Sequence, residues 1–294
     1  MQIQPPPTTP KQVMPNQQHA DKAPRRTPWK AGIVAEPTDV VANETVAGEY
    51  RHLIVRCGSE LLAAAPGQFF QLLCPQSAAG HAFLRRPMSV YALDAGKRQL
   101  EFLYKVTGAG TRGLGTLTAG DRLDVMGPLG RGFTLDPSWR HIAAVGRGAG
   151  LATLAPLAGA ARRQGVHVTA VLSARTPDLL VCEDLFRGHG ADVVTVSDAD
   201  ATSAPANVER IVRQLIMDGM CDAFFTCGSS RLIRLLQRLS AEFGLPGQVA
   251  VEQQMACGIG LCHCCVRAFA VDGGIVDRRV CWEGPVFNLA EILS

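Results

Sequence analysis

The sequence predicts a chain of three unlike parts: an antiparallel β-barrel, a doubly wound parallel α/β sheet and a small cysteine-bearing C-terminal domain. Three observations carry this. Over residues 29–137, short apolar runs alternate with Gly, Pro and Asp, with no helical period. Over 138–250, apolar runs alternate with amphipathic segments, the order that builds a parallel sheet covered on both faces. Over 251–294, cysteines crowd into one loop and its return. Residues 1–28 are rich in Pro and Gln, bury too little apolar surface to fold, and are expected to be a disordered tail.

Composition narrows the partners. The net charge of +3 is too small to argue for nucleic acid, and the basic residues are scattered, not striped. No stretch approaches the roughly 20 apolar residues of a membrane span. The N-terminus lacks the apolar core of a secretory signal. Ten cysteines without a regular framework point to a reducing compartment, and the cytoplasm is expected.

The barrel is read from strands expected at Ala31–Ala35, Tyr50–Cys57, Phe69–Cys74, Met88–Leu93, Leu100–Val106 and Arg122–Met126. Two segments add chemistry. In Arg85-Arg86-Pro87-Met88-Ser89-Val90 a guanidinium and a hydroxyl stand three residues apart at a strand entry; Arg86 suits a pyrophosphate and Ser89 the polar edge of a flavin. Lys105-Val106-Thr107-Gly108-Ala109-Gly110-Thr111-Arg112-Gly113 reads as a glycine turn opening a short helix, with backbone donors for phosphate. A solvated Arg and an ordinary turn remain the alternatives, as does a structural or oligonucleotide-binding barrel.

The parallel sheet is read from His141–Val145, His167–Leu172, Asp192–Val196 and Ala223–Cys227. Helices are expected at Leu151–Gln164, Leu179–Phe186, Val208–Met217 and Arg231–Phe243. Ligands of such sheets bind beyond the carboxyl ends of the strands. That edge carries Gly146-Arg147-Gly148-Ala149-Gly150, Ser173 to Arg175, Ser197-Asp198 and Cys227-Gly228-Ser229. The turn departs from G-x-G-x-x-G, and where a ribose-binding acid is expected stand Ser173 and Arg175. Arg175 suits a 2′-phosphate, which leaves NADH and NADPH both open. Cys227 is either a buried packing thiol or a small side chain leaving room for a nicotinamide.

The C-terminal loop is the sharpest signal. Cys257, Cys262 and Cys265 are spaced C-x4-C-x2-C, with Cys281 following, the ligand pattern of a plant-type 2Fe-2S cluster. Gly258 and Gly260 supply the bending such a loop needs. A zinc site is the competing chemistry, and Cys264 and His263 are extra potential ligands inside the loop.

Together these residues resemble the electron-transfer subunits of the two-subunit, NAD-dependent (type 1B) dihydroorotate dehydrogenases, within the ferredoxin reductase superfamily. The marks are Leu84 to Val90, Asp124-Val125-Met126-Gly127-Pro128-Leu129-Gly130-Arg131-Gly132-Phe133, Met255 to Gly260, and Gly284-Pro285-Val286-Phe287. The resemblance implies an FAD-binding barrel (29–137), an NAD(P)-binding domain (138–250) and a 2Fe-2S domain (251–294). It implies FAD held by Arg86, Pro87, Met88, Ser89, Leu103, Tyr104, Lys105, Gly110 and Thr111. A nicotinamide site is expected from Gly146, Gly148, Gly150, Arg175, Cys227 and Gly228, with Cys227 the catalytic candidate. Cys257, Cys262, Cys265 and Cys281 are the implied cluster ligands. Two departures stand out: the family's Cys-Gly-Pro reads Cys227-Gly228-Ser229, and its Gly-Gly-Gly reads Gly146-Arg147-Gly148. The implied activity is electron transfer from NAD(P)H through FAD and the cluster to a partner in a hetero-oligomer, in the family case an FMN-containing catalytic subunit. A reductase serving an oxygenase or a catabolic dehydrogenase is the alternative. His263, Arg267, Arg278 and Arg279 are expected to give the cluster loop a basic rim, with Val266, Phe269 and Trp282 as an apolar docking alternative.

Overall fold

The first strand of this computed structural model, which describes residues 32–78 and 80–293, is far longer than expected. β1 (Val34–Ala47) runs through Pro37, Asp39 and Asn43, well beyond the expected end at Ala35. Pro37 and Asp39 are exposed, Asn43 is buried with its Nδ2 donating to Leu114 O and Leu117 O, and pairing on both sides holds the strand. Ala31, the start of the expected strand, and the tail lie outside the described residues. β2 (Tyr50–Arg56), β3 (Phe69–Leu72), β4 (Arg86–Ser89), β5 (Ala92–Asp94), β6 (Gln99–Lys105) and β7 (Arg122–Leu129) complete an antiparallel sheet in the order β4-β3-β7-β1-β2-β6-β5.

The single strand expected over Met88–Leu93 is two. β4 pairs with β3 and β5 with β6, at opposite ends of that order. Only Val90 and Tyr91 separate them, and their N–H groups donate to Gln68 O at 3.1 Å and Glu101 O at 3.0 Å. One short segment therefore joins both edges and rolls the sheet into a barrel. The period of two sends Leu53, Val55, Phe70, Leu72, Leu100, Phe102, Leu123 and Val125 inward. Each large apolar side chain so buried contributes about 1.5–3 kcal/mol. Between β6 and β7 lies the short helix α1 (Ala109–Leu114).

The second half alternates as expected: β8 (His141–Arg147), α2 (Gly150–Arg163), β9 (His167–Ala174), α3 (Glu183–Gly188), β10 (Asp192–Ser197), α4 (Pro205–Met217), β11 (Ala223–Cys227), α5 (Ser230–Phe243) and β12 (Gly247–Ala250). α3 starts later than the expected Leu179, which ends a separate 3-10 turn over Pro177–Leu179. Pro205 opens α4, where its missing N–H costs nothing, and Gly244 closes α5 at φ +66°. A hairpin of β13 (Val266–Val271) and β14 (Gly274–Arg279) follows, then α6 (Val280–Glu283) and β15 (Val286–Asn288). The sheet order is β10-β9-β8-β11-β12-β15, parallel except that β15 runs antiparallel against β12. The order reverses between β8 and β11, which opens a crevice at their carboxyl ends.

Tyr50, Tyr91, Leu103 and Phe133 from the first half share one buried cluster with Ile142, Leu151, Leu154 and Phe225 from the second. Residues 32–294 thereby make one compact unit.

Candidate functional site

The C-terminal cysteines are brought together by the hairpin register. Cys265 precedes β13 and Cys281 lies in α6 just after β14; Val266 faces Arg279, and Val280 N donates to Cys265 O at 3.1 Å. The two sulfurs consequently lie 3.2 Å apart and are buried. The turn between Met255 and Cys265 bends at Gly258 (φ +71°), Gly260 (φ +80°) and His263 (φ +55°), and places Cys257 beside Cys262. Backbone N–H groups point at sulfur throughout: Gly260 N to Cys281 Sγ at 3.2 Å, Cys281 N to Cys265 Sγ at 3.4 Å, Cys262 N to Cys257 Sγ at 3.5 Å. Such donors favour thiolate over thiol.

Burial works against the Cys257 thiolate, yet the N–H groups of Cys262, Ile259 and Leu261 bring its thiol down to about 7. Burial, and then the neighbouring Cys265, push Cys281 up. The four thiols therefore form two couples, Cys257 with Cys262 and Cys265 with Cys281. Among the described residues no three Cys, His, Asp or Glu groups gather to hold one metal ion. Two couples fit a two-iron core, in which each tetrahedral iron takes two terminal thiolates. Zinc instead needs its ligands around one point. Cys264 is exposed and turned away, toward Gln254 O at 3.9 Å.

Next to this turn lies a cleft of about 340 Å3 between the barrel and α2. Pro87, Met88 and Ser89 of β4, and Leu103, Tyr104 and Lys105 of β6, supply one wall, with Thr111. Ala149, Ala152 and Thr153 face them, and Glu252, Gln253 and Met255 form the side leading to the cysteines. Seven of the expected flavin residues thus meet in one place. Tyr104 contributes main chain only: its side chain points into the barrel, where its hydroxyl donates to Asn43 Oδ1 at 3.0 Å. Lys105 Nζ is paired with Glu49 Oε2 at 2.6 Å.

Arg86 lines a second, adjoining cleft of about 680 Å3 together with Glu252, Met255 and Cys264. Its guanidinium lies against Gly110, where a Cβ would fall 2.8 Å from Nε. The guanidinium thus covers the bare face of Gly110, which lines neither cleft, and its Nη1 donates to Leu84 O at 2.6 Å and Arg85 O at 3.3 Å. The donors of the glycine turn are partly used internally, because Thr111 Oγ1 accepts from Thr107 N at 2.9 Å and Gly108 N at 3.0 Å.

The nucleotide edge is woven from glycines. Gly148 N donates to Ser173 O at 3.1 Å, and a Cβ at Gly150 would fall 2.6 Å from Cys227 O. Gly228 holds φ +105° against Arg147 O, and Gly146 packs under Leu154. Arg147 does not block this edge. Its side chain crosses to the neighbouring strands, donating to Ser173 Oγ at 2.8 Å and pairing with Asp198 at 2.5 Å. Arg147 and Ser203 hold the Asp198 carboxyl below the usual range. Arg175 is exposed beyond β9, with Glu49 and Tyr50 within electrostatic reach.

Cys227 is buried, and burial, then Glu252, push its thiol up to about 12. Thr153, which counters that rise, donates its Oγ1 proton to Ser89 Oγ at 2.9 Å. Ser89 and Thr153 thus connect β4 to α2 across the cleft. Thr153 and Glu252 were not singled out from the sequence; the available signal was a lone hydroxyl on the apolar face of α2. The marks Asp124–Phe133 and Gly284–Phe287 also meet: Gly130 packs on Gly284 and Pro285, and Arg131 N donates to Gly284 O at 2.5 Å.

Of the expected basic rim, Arg278 is tied to Glu291 at 2.5 Å and Arg279 to Gly260 O at 3.0 Å and Glu283 at 3.5 Å. Phe269 is wholly buried under the hairpin and offers nothing to a partner.

A family model for the iron-sulfur cluster binding domain of dihydroorotate dehydrogenase B matches residues 252–293. The electron transfer subunit of dihydroorotate dehydrogenase B (NAD(+)) from Desulforamulus reducens is 33% identical over 224 residues, covering 76% of this chain and 85% of that one. The subunit of the same name from Streptococcus pneumoniae strain R6 is 32% identical over 263 residues, covering 89% and 99%. Among solved structures, an NADH-dependent reduced ferredoxin-NADP oxidoreductase superposes with a TM-score of 0.73 at 27% identity, over 86% of this chain and 88% of that one. A ferredoxin reductase of carbazole 1,9a-dioxygenase, at TM-score 0.59 and 21% identity over 73% and 67%, shares the fold.

Proposed function

The chain belongs to the family of dihydroorotate dehydrogenase B electron-transfer subunits, and from that premise we propose that it carries electrons between NAD(H) and a catalytic partner subunit through FAD and a 2Fe-2S cluster. The observation that carries this is adjacency. Met255 lines the cleft two residues before Cys257, so one short segment connects a flavin-sized site to the four thiols.

Bound FAD supplies the conversion between the two-electron chemistry of a nicotinamide and one-electron carriage by the cluster. The chain's own residues supply position. Arg86, seated on Gly110, holds the pyrophosphate, while Pro87, Met88 and Leu103 make the apolar wall. Lys105 and Thr111 add polar contacts, and Tyr104 its main chain. Ser89 presents its hydroxyl to the ring's edge and is fixed by Thr153. Gly146, Gly148 and Gly150 allow a nicotinamide dinucleotide close to the backbone, and Gly228 with buried Cys227 forms the floor of that site. Arg175 is the residue placed to meet a 2′-phosphate or the adenosine end. Cys257, Cys262, Cys265 and Cys281 hold the cluster.

The partner is a catalytic subunit of the dihydroorotate dehydrogenase kind, FMN-containing, in a hetero-oligomer. The exposed edge of the turn, with Cys262 and Leu261 open to solvent, supports its docking there. Ten cysteines free of disulfides support a reducing, cytoplasmic setting. The test is anaerobic purification with its partner, followed by flavin, iron and sulfide assay and NADH titration. About one FAD and two irons per chain, with NADH bleaching both chromophores and dihydroorotate reducing the assembled complex, is the expected result. An iron-free, colourless chain refutes it.

A further inference from the structure

The strand Phe69–Leu72 reads Phe-Phe-Gln-Leu, an apolar run with one amide inside it. Phe70 and Leu72 fill the barrel core, while Phe69 lies on the opposite face and lines the cleft. By the strand's period of two, Gln71 shares the face of Phe69. It is paired in register with Pro87 of the cleft wall and with Met126.

Gln71 is fully buried, at 0% exposure, and neither its Nε2 nor its Oε1 has a hydrogen-bond partner. Such orphans are rare in native proteins and each calls for an explanation. What the amide faces is the cysteine turn. A Cβ on Gly258 would fall 2.8 Å from both Cγ and Nε2 of Gln71, and Gly258 directly follows Cys257. The glycine therefore serves two ends there: its positive φ bends the turn, and its bare face admits an amide.

We infer that Gln71 is a tuning residue for the cluster, its carboxamide N–H donating to the sulfur cage on the Cys257 side and raising the cluster's reduction potential. The inference rests on the proposed 2Fe-2S site. Reduction adds one negative charge to the cage, so a fixed donor stabilises the reduced form more than the oxidised one. Hydrogen bonds to the sulfurs are among the determinants of such potentials. A buried donor acts in a low-dielectric setting, where it counts for more than in water. Gln71 thereby favours electron flow from the cleft toward the cluster.

The test uses the anaerobically prepared complex and compares the unaltered chain with Gln71→Leu, which keeps the volume and removes the amide. Iron, sulfide and FAD contents are expected to be unchanged. An EPR-monitored redox titration is expected to show the Gln71→Leu cluster harder to reduce, by about a tenfold change in the reduced-to-oxidised ratio at fixed potential. For one electron that is about 59 mV. The flavin midpoint is expected to stay in place. A cluster midpoint and EPR signature indifferent to Gln71→Leu overturn the inference, and so does a shift confined to the flavin. A second measurement needs no variant: with 15N-labelled glutamine side chains, pulsed EPR of the reduced cluster is expected to detect one coupled amide nitrogen. Absence of that coupling in a normally loaded cluster overturns the inference while leaving the proposed function standing. A chain that binds no iron takes both down.

Discussion

Gly150→Ala is the most discriminating perturbation of the nucleotide edge. A methyl group there falls 2.6 Å from Cys227 O, 2.8 Å from Cys227 C and 3.1 Å from Gly228 N. The first contact is roughly 0.7 Å inside the shortest usual C···O approach of about 3.3 Å. Both sides of the contact are backbone, at the start of α2 and the end of β11, so neither yields as a side-chain tip would. Helix propensity alone favours Ala over Gly by up to about 1 kcal/mol. Overpacking of this kind costs about 1–3 kcal/mol, so the clash outweighs the propensity gain. The relief route is a displacement of α2 away from Cys227 and Gly228. Since about 1 Å of misplacement costs on the order of 100-fold in a positioned reaction, flavin reduction by NADH should slow at least tenfold. Anaerobic stopped-flow at the flavin band measures this. The cysteine turn lies elsewhere, so iron content and dithionite reduction should match the unaltered chain; because Ala149, Ala152 and Thr153 also line the flavin cleft, the NADH rate is read per bound FAD. Reduction by NADH at the unaltered rate would refute the idea that this close approach shapes the nicotinamide site.

Thr153→Val removes the bond to Ser89 Oγ while keeping the side chain's shape, and at about 1 kcal/mol for one hydrogen bond should slow flavin reduction about fivefold without changing the FAD content; stopped-flow with flavin assay checks both. Cys264→Ser should leave iron and sulfide contents intact, whereas Cys281→Ser should lose most of the iron, because only the second sulfur belongs to the two couples. Asp222 takes up the N–H groups of Arg140 and His141 at the start of β8, at 2.7 and 2.9 Å. Although burial opposes it, those bonds hold its carboxyl below the usual value. Its stabilisation is therefore present above the unfolded-state value of about 3.9 and lost as pH falls through the lower folded value. Asp222→Asn should flatten that acid limb in urea midpoints measured from pH 5 downward.

Much of this was legible in the residues, and the reasons differ by element. Strand β11 was read at its observed ends because it is wholly buried and uniformly apolar. β1 was cut short because a half-exposed strand carrying Pro37 and Asn43 offers no clear alternation until its neighbours are known. β12 and β15, four and three residues long, are too short for any period to register. The hairpin β13–β14 was hidden inside what read as a cysteine loop. Cluster ligands are declared by spacing along the chain, so Cys257, Cys262, Cys265 and Cys281 could be named at once. Thr153, Glu252 and Gln71 act through neighbours distant in sequence, Ser89, Cys227 and Gly258. A single polar residue in an apolar run announces only that something is opposite it.

The reversed strand β15 has a practical consequence for anyone engineering this reductase. The cysteine-rich segment leaves the α/β sheet after β12, forms its hairpin, and then returns to lay Val286–Asn288 along the same sheet. It is thus no detachable cassette: trimming it would strip the border from β12 and uncover raw backbone amides and carbonyls. Damage to the redox turn and fraying of the sheet's margin are mechanically one event, and chimeras should be cut before β8, never between β12 and Cys257.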